Sequence, residues 1–234
     1  MAEEAGLNRD IASSLLYLPS KTTLTEEKQR PWSINHFQPF QKPFLKTWDR
    51  CSGSQPDDEH RMLSRAPRQR LDTLESRKSS LTTHIDHSKW NPTPYISFTT
   101  SPAALKKMAN WRASQRGPQT LTVLDPNARM ADGLPILDVL AEMDHYGIKN
   151  PYKKLNQYYK DHYLCLWEVT GREIIGHWEW ADLVANEQWY HEIILPAFRE
   201  HTKSRSLEEE TPGLSAAMNK LSCMFLLSGI LYTA

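Results

Sequence analysis

The sequence predicts an α+β domain of mixed or antiparallel strands with flanking helices, and three observations carry that reading. Apolar residues recur at every second position in some stretches and at every third or fourth in others, the periods of strand and helix. Proline and glycine punctuate the chain between those stretches. Late in the chain, "YLCLWEV" and "EIIGHWEW" are joined by a turn at Gly171-Arg172. That link is too short for the crossover of a parallel pair, which speaks against a doubly wound sheet.

Residues 1–42 show no sustained period and predict a loose N-terminal arm, punctuated by Pro19, Pro31 and Pro39. The domain is expected over 43–202. "PFLKTWDRC" opens it as a strand with Phe44, Leu45 and Trp48 as apolar members. Residues 52–89 are dominated by Ser, Arg, Asp and Thr and read as a polar insertion. Leu71, Leu74 and Arg77/Lys78 within it suit a short amphipathic helix.

"YISFTT" is the next strand, and Ser101-Pro102 supplies a capping hydroxyl and a first-turn proline. Leu105, Met108 and Trp111 follow at three-residue intervals, a helical face that Gly117-Pro118 ends. "QTLTVLDP" alternates Leu121 and Val123 with Thr120 and Thr122, a half-buried strand. A second helix is expected from near Pro135, with Ile136, Leu140 and Met143 on one stripe and Gly147 as its cap. "YLCLWEV" is apolar at nearly every position and predicts a central strand. "EIIGHWEW" gives its neighbour, and "ADLVANEQWYHEIILPAF" is helical until Pro196 interrupts it. Residues 203–213 read as a charged linker, and 214–234 as an apolar C-terminal segment.

Composition narrows the function classes. The chain has 234 residues and a formal net charge of zero, so no basic field marks a nucleic-acid binder. Eight tryptophans and nine tyrosines predict a packed core. Cys51, Cys165 and Cys223 fit no ligand spacing and read as reduced thiols of an intracellular protein, cytoplasmic or nuclear. "MAEEAGLNRD" has no basic n-region before an apolar core and does not read as a secretory signal. The closing run "LSCMFLLSGILYTA" is shorter than the roughly 17 to 25 residues of a spanning helix. It reads as a buried terminal segment, a fragment of a tail anchor or a gene-prediction artefact, and a membrane partner is expected only if it anchors.

Few motifs carry chemistry. No Gly-x-Ser-x-Gly elbow, phosphate-cradling glycine loop or His-Glu-x-x-His occurs. His84, Asp86 and His87 in "HIDHS" are metal-ligand types without a fourth partner, so no metal site is predicted. Tyr152, Tyr158 and Tyr159 alternate with Lys153, Lys154 and Lys160 in a loop. It either tucks tyrosines against the core or offers them to a nucleotide or acidic partner. Cys165 lies inside an apolar strand, where thiols are inert.

"FLKTWDRCSGS", "TPYISFTTSPAALKKMA", "LTVLDP" and "HYLCLWEVTGREIIGHW", in that order, resemble a fungal domain family of unknown function. That family is distantly similar to the ADP-ribosyltransferase fold, and the resemblance covers roughly 44–202. It implies a split β-sandwich that clamps NAD. In such enzymes a first-strand cation holds a ribose or phosphate, a second strand ends in bracing hydroxyls, and a later strand supplies a glutamate. That carboxylate stabilises the cation left as nicotinamide departs.

Carried onto this chain, the resemblance places Lys46, or Arg50 four residues on, at the anchor. Ser97, Thr99 and Ser101 become the hydroxyl element, on one face while the strand persists. His162 stands where the glutamate is expected, with Asp161 beside it on the opposite face and Glu168 deeper on the same parity. An imidazole does not stabilise a ribosyl cation as a carboxylate does, and lysine lacks the arginine fork. The resemblance therefore implies a binding or interaction module with an unidentified protein partner and no required cofactor. Its alternative is an active NAD-dependent transferase or NAD glycohydrolase using Asp161 or Glu168.

Overall fold

A computed structural model describes residues 6–17 and 26–210. Helices α1 (Arg9–Leu16) and α2 (Glu26–Gln29) precede strand β1 (Phe44–Trp48) and the two-residue β2 (Met62–Leu63). Then come α3 (Leu74–Ile85), β3 (Tyr95–Thr99), α4 (Pro102–Arg116), β4 (Thr120–Leu124) and α5 (Pro126–Ala131). The chain continues through β5 (Ile136–Asp138), α6 (Val139–His145), β6 (His162–Leu166), β7 (Glu168–Val169), β8 (Ile174–Glu179), α7 (Trp180–Val184) and α8 (Leu195–Glu210). Six strands form one sheet in the order β5-β6-β3-β1-β4-β8, and β2 pairs with β7 in a second. All described pairings are antiparallel, so the fold is α+β.

Alternation along the strands divides the core. Leu45 pairs with Thr99 and Val123, which puts these on one face and Phe44, Lys46 and Trp48 on the other. The first face carries two separate apolar clusters. Tyr95, Leu137, Leu164 and Leu166 pack with Leu16, Leu81 and Met143 on one half of the sheet. Leu45, Leu121 and Val123 pack with Leu105, Ala109 and Ile194 on the other. The opposite face buries Phe44, Ile96, Phe98, Leu124 and Cys165. The seam between the two halves falls where β3 meets β1, and that ladder holds only the Leu45–Thr99 pair.

Several expectations change. The supposed loose arm contributes α1, with Leu15 and Leu16 buried, and Trp32 is 2% exposed. Arg77, in the stretch read as a polar insertion, is fully buried and ion-pairs with Glu27, its guanidinium 4.1 Å from the centre of the Trp32 ring. The charged partner lies 50 residues away, so composition alone reads both segments as solvated. On α4, Leu105, Ala109 and Arg112 face inward while Trp111 is 59% exposed. Steps of three drift off a 3.6-residue period, and the i, i+4, i+7 positions are the ones that stay aligned.

Residues Ile136–Asp138 form a short strand against β6, and α6 starts only at Val139, capped by the Asp138 carboxylate. Pro196 does not end the last helix. A π-helical turn (Tyr190–Ile194) runs directly into α8, with the Leu195 N–H bonding the Tyr190 carbonyl. The wider turn just before Pro196 is where the ladder absorbs the missing N–H and the crowding of the ring. The predicted linker is helical through Glu210; its remaining residues and the apolar segment at 214–234 lie outside the described residues. No helix among the described residues is long and apolar enough to cross a membrane.

Candidate functional site

The hydroxyls of β3 meet a histidine that sequence reasoning assigned elsewhere. His84, in the last turn of α3, sits 2.7 Å from Ser97 Oγ through Nε2 and 2.8 Å from Thr93 Oγ1 through Nδ1. Its ring lies edge-on to Tyr95. Burial, with the charge of Lys46 adding to it, pushes the His84 pKa down to about 3, so the imidazole is neutral at neutral pH. A neutral ring donates through one nitrogen and accepts through the other, and here both have hydroxyl partners. Thr99 Oγ1 accepts the Ser101 N–H at 3.1 Å, and Ser101 Oγ accepts the Ala104 N–H at 3.3 Å as the cap of α4. Ser101 therefore leaves the strand face that Ser97 and Thr99 share.

The two anchor candidates stand differently toward this wall, and the Lys46 charge reaches His84 beside Ser97. Lys46 alternates away from Leu45, whose partner Thr99 shares a face with Ser97. Burial first, then the Arg112 charge, lowers the Lys46 pKa to about 8. Arg112 donates to the Thr47 carbonyl at 2.9 Å beside the lapsed β1–β3 ladder. Arg50 is exposed beyond the end of β1. His162 pairs with Thr99 across β6 and β3, packed beside Tyr158 and Tyr159. Burial lowers its pKa, partly offset by the Asp161 charge. Asp161 occupies a left-handed turn (φ 64°), exposed, with its carbonyl accepting from Thr100 N–H.

Glu168 is elsewhere. The run "YLCLWEV" reads as one strand but breaks at Trp167, whose φ is 61°. Arg129 brackets the break, donating to the Leu166 carbonyl and the Glu168 carbonyl, each at 2.9 Å, while pairing with Glu173 at 2.8 Å. Beyond the break Glu168 belongs to β7 and faces Leu63 of β2. Parity counted from His162 therefore fails. The Glu168 side chain is buried, and its Oε2 accepts the Leu7 N–H at 3.0 Å and lies 3.9 Å from the Arg68 guanidinium. Its Oε1 has no partner among the described residues.

Glu168 lines a groove of about 880 Å³ beside β8. One wall is 174–177 of β8; turns at 59–61 and 170–172 form the other, with Gly6 between. His177 projects here from β8. Its Nδ1 lies 2.8 Å from Thr122 Oγ1, which also accepts the Trp48 indole N–H at 2.8 Å. Nε2 is buried and, among the described residues, without a partner; it donates or accepts according to which ring nitrogen carries the proton. Burial lowers the His177 pKa, and the ring stacks on His60 with centres 5.7 Å apart.

Sequence reasoning placed Ser97 and Thr99 on one face and missed His84 as the partner of Ser97. The signal was present in "HIDHS", but reading it for metal ligands hid the hydrogen bond. Among the described residues no group of three or more His, Cys, Asp or Glu could hold a metal ion. The inertness expected of Cys165 agrees with burial, which pushes its thiol up to about 12. A family profile described as a domain of unknown function (DUF7587) matches residues 46–183. No curated protein and no solved structure matches the chain.

Proposed function

The chain belongs to the DUF7587 family, and we propose that it is a binding module on an ADP-ribosyltransferase-like scaffold that does not perform the transfer. The observation that carries this reading is the separation of Glu168 from Ser97 by the break at Trp167. Ribosyl transfer from NAD needs a fixed carboxylate against the cation that forms as nicotinamide leaves. At the hydroxyl wall the position expected to hold it is His162, with a lowered pKa, and the Ser97 hydroxyl is already bonded to His84. The lapsed β1–β3 ladder supports the split-sheet likeness, and the buried, unreactive Cys165 fits an intracellular site of action.

The alternative, an active transferase or NAD glycohydrolase, requires Lys46 or Arg50 to anchor NAD, Ser97 and Thr99 to brace it, and Asp161 or Glu168 to act as the carboxylate. Incubating the full chain with NAD labelled on either half tests the choice. The expected result is no released nicotinamide and no label on protein. Turnover that disappears in Glu168→Ala or Asp161→Ala would overturn the module reading.

A further inference from the structure

The groove beside β8 has the features of a recognition site for another chain. The groove touches residues 174–177 at a bulge: Ile175 is the extra residue between the pairs Leu124–Ile174 and Val123–Gly176, Ile174 and His177 share a face, and Gly176 carries no side chain. Beyond the bulge the ladder is regular, and the outer edge of β8 is open: among the described strands it is terminal in the sheet and pairs only with β4. Such a row of backbone donors and acceptors is a template for one more strand. The other terminal strand, β5, is three residues long against six in β8.

The groove also holds unspent polar capacity of a definite kind. Glu168 is 1% exposed, and its Oε1 has no donor. Gly6 lies against that oxygen, where even a Cβ would sit 3.6 Å away, so no side chain from this residue shields it. The rim cations are occupied. Arg61 contacts Asp57 and Glu59, each at 3.1 Å, and Arg172 lies 3.7 Å from Asp132. The chemistry left over is a buried carboxylate oxygen that needs a donor and a His177 Nε2 that has no partner among the described residues. A buried polar atom without a partner costs free energy that a ligand group can recover.

We propose that this groove takes an extended segment of a partner protein as a seventh strand on β8, with a lysine or arginine side chain of that segment donating to Glu168 Oε1. Backbone pairing along β8 gives the affinity, a backbone group of the segment meets His177 Nε2, and the cation sets the preference. The proposal rests on the reading of the domain as a binding module and adds the partner's chemistry and its place.

The test uses the full chain and a fluorescent heptapeptide of alternating valine and threonine with lysine at its centre. Analogues carry norleucine or glutamate at the centre, or methylated amides along one edge. The lysine peptide should bind saturably, and amide exchange in 174–179 should slow on binding. Both charge analogues should bind roughly ten-fold more weakly, in line with the loss of a charge-assisted hydrogen bond. N-methylation should abolish binding, and Glu168→Gln should erase the lysine preference. Since Glu168 also receives Leu7, the norleucine comparison on the wild-type chain decides the matter if that variant fails to fold. No saturable binding, or equal binding of lysine, norleucine and glutamate peptides, would overturn the proposal. NAD turnover with intact peptide binding would instead overturn the module reading and leave the groove standing.

Discussion

The Ser97 wall and the β8 groove are built from the same kinds of group, and they finish differently. Each has a histidine with a lowered pKa, held by a threonine hydroxyl: His84 by Thr93 and His177 by Thr122. At the wall the second ring nitrogen is taken by Ser97. In the groove it has no partner, and neither does Glu168 Oε1. A closed polar circuit holds elements together, here the last turn of α3 against β3. An open one leaves hydrogen-bonding capacity for something else. Of the site residues expected from the sequence, Ser97 thus lies in the closed circuit, while Glu168 lies in the region with capacity to spare.

The division between the two regions depends most on Arg129. Its guanidinium and the Glu173 carboxylate are both fully buried, and it also caps carbonyls on either side of Trp167. Arg129→Met leaves Glu173 as an uncompensated buried charge and should cost about 3–5 kcal/mol of unfolding free energy. Denaturant unfolding followed by tryptophan fluorescence checks this. A loss of under about 1 kcal/mol would mean that the break is held by backbone and packing alone, since that is the range of a weak exposed pair.

Arg129 also shows where sequence reasoning stopped. The strands at 95–99 and 120–124 and the N-cap Ser101 were legible, because alternation and capping chemistry are local. The break in "YLCLWEV" was not. Tryptophan gives no hint of a left-handed φ, and the group that brackets the turn comes from α5, 37 residues upstream of the Leu166 carbonyl it caps. Ser97 and Thr99 were found, but the partner of Ser97 on α3 came from a segment whose composition reads as solvated. Arg77 with Glu27 is the same lesson: a buried pair leaves no periodic trace in either segment.

The next contrast is between the histidines. His84→Leu strips a partner from the buried Thr93 hydroxyl and from the exposed Ser97 hydroxyl and should cost about 1–3 kcal/mol, nearly all of it from Thr93. His177→Phe keeps the stack on His60, removes a ring nitrogen without a partner among the described residues and leaves Thr122 its Trp48 donor, so its cost should stay near or below about 1 kcal/mol. Equal losses in paired denaturation curves would erase the distinction between closed and open circuits.

Acid sharpens the same contrast. The folded chain holds His84 near pKa 3 against an ordinary 6.5, so between those values the unfolded chain binds a proton that the folded one refuses. Stability must then fall as pH drops below about 6.5, and it continues to fall toward about 3. His87, His162 and His177 are lowered too and act in the same sense. Lowered carboxylates such as Asp49 and Asp125 add their loss only below the ordinary carboxylate range. Midpoints measured between pH 6.5 and 5 therefore isolate the histidines, and His84→Leu should flatten the slope more than His177→Phe does.

The smallest effect is expected at Ser101, where a cap and a place in the site are opposed readings. Its hydroxyl accepts the Ala104 N–H at 3.3 Å, and its own N–H is bound by Thr99. Ser101→Ala should cost about 0.5–1 kcal/mol, the range of a lost N-cap, and Ser101→Gly only a few tenths. Because the capping hydroxyl is turned toward α4, neither change should alter peptide binding at β8 or the pH slope set by His84. A Ser101→Ala variant that kept full stability but lost binding would return this hydroxyl to a ligand-facing role and join the two regions that the break at Trp167 holds apart.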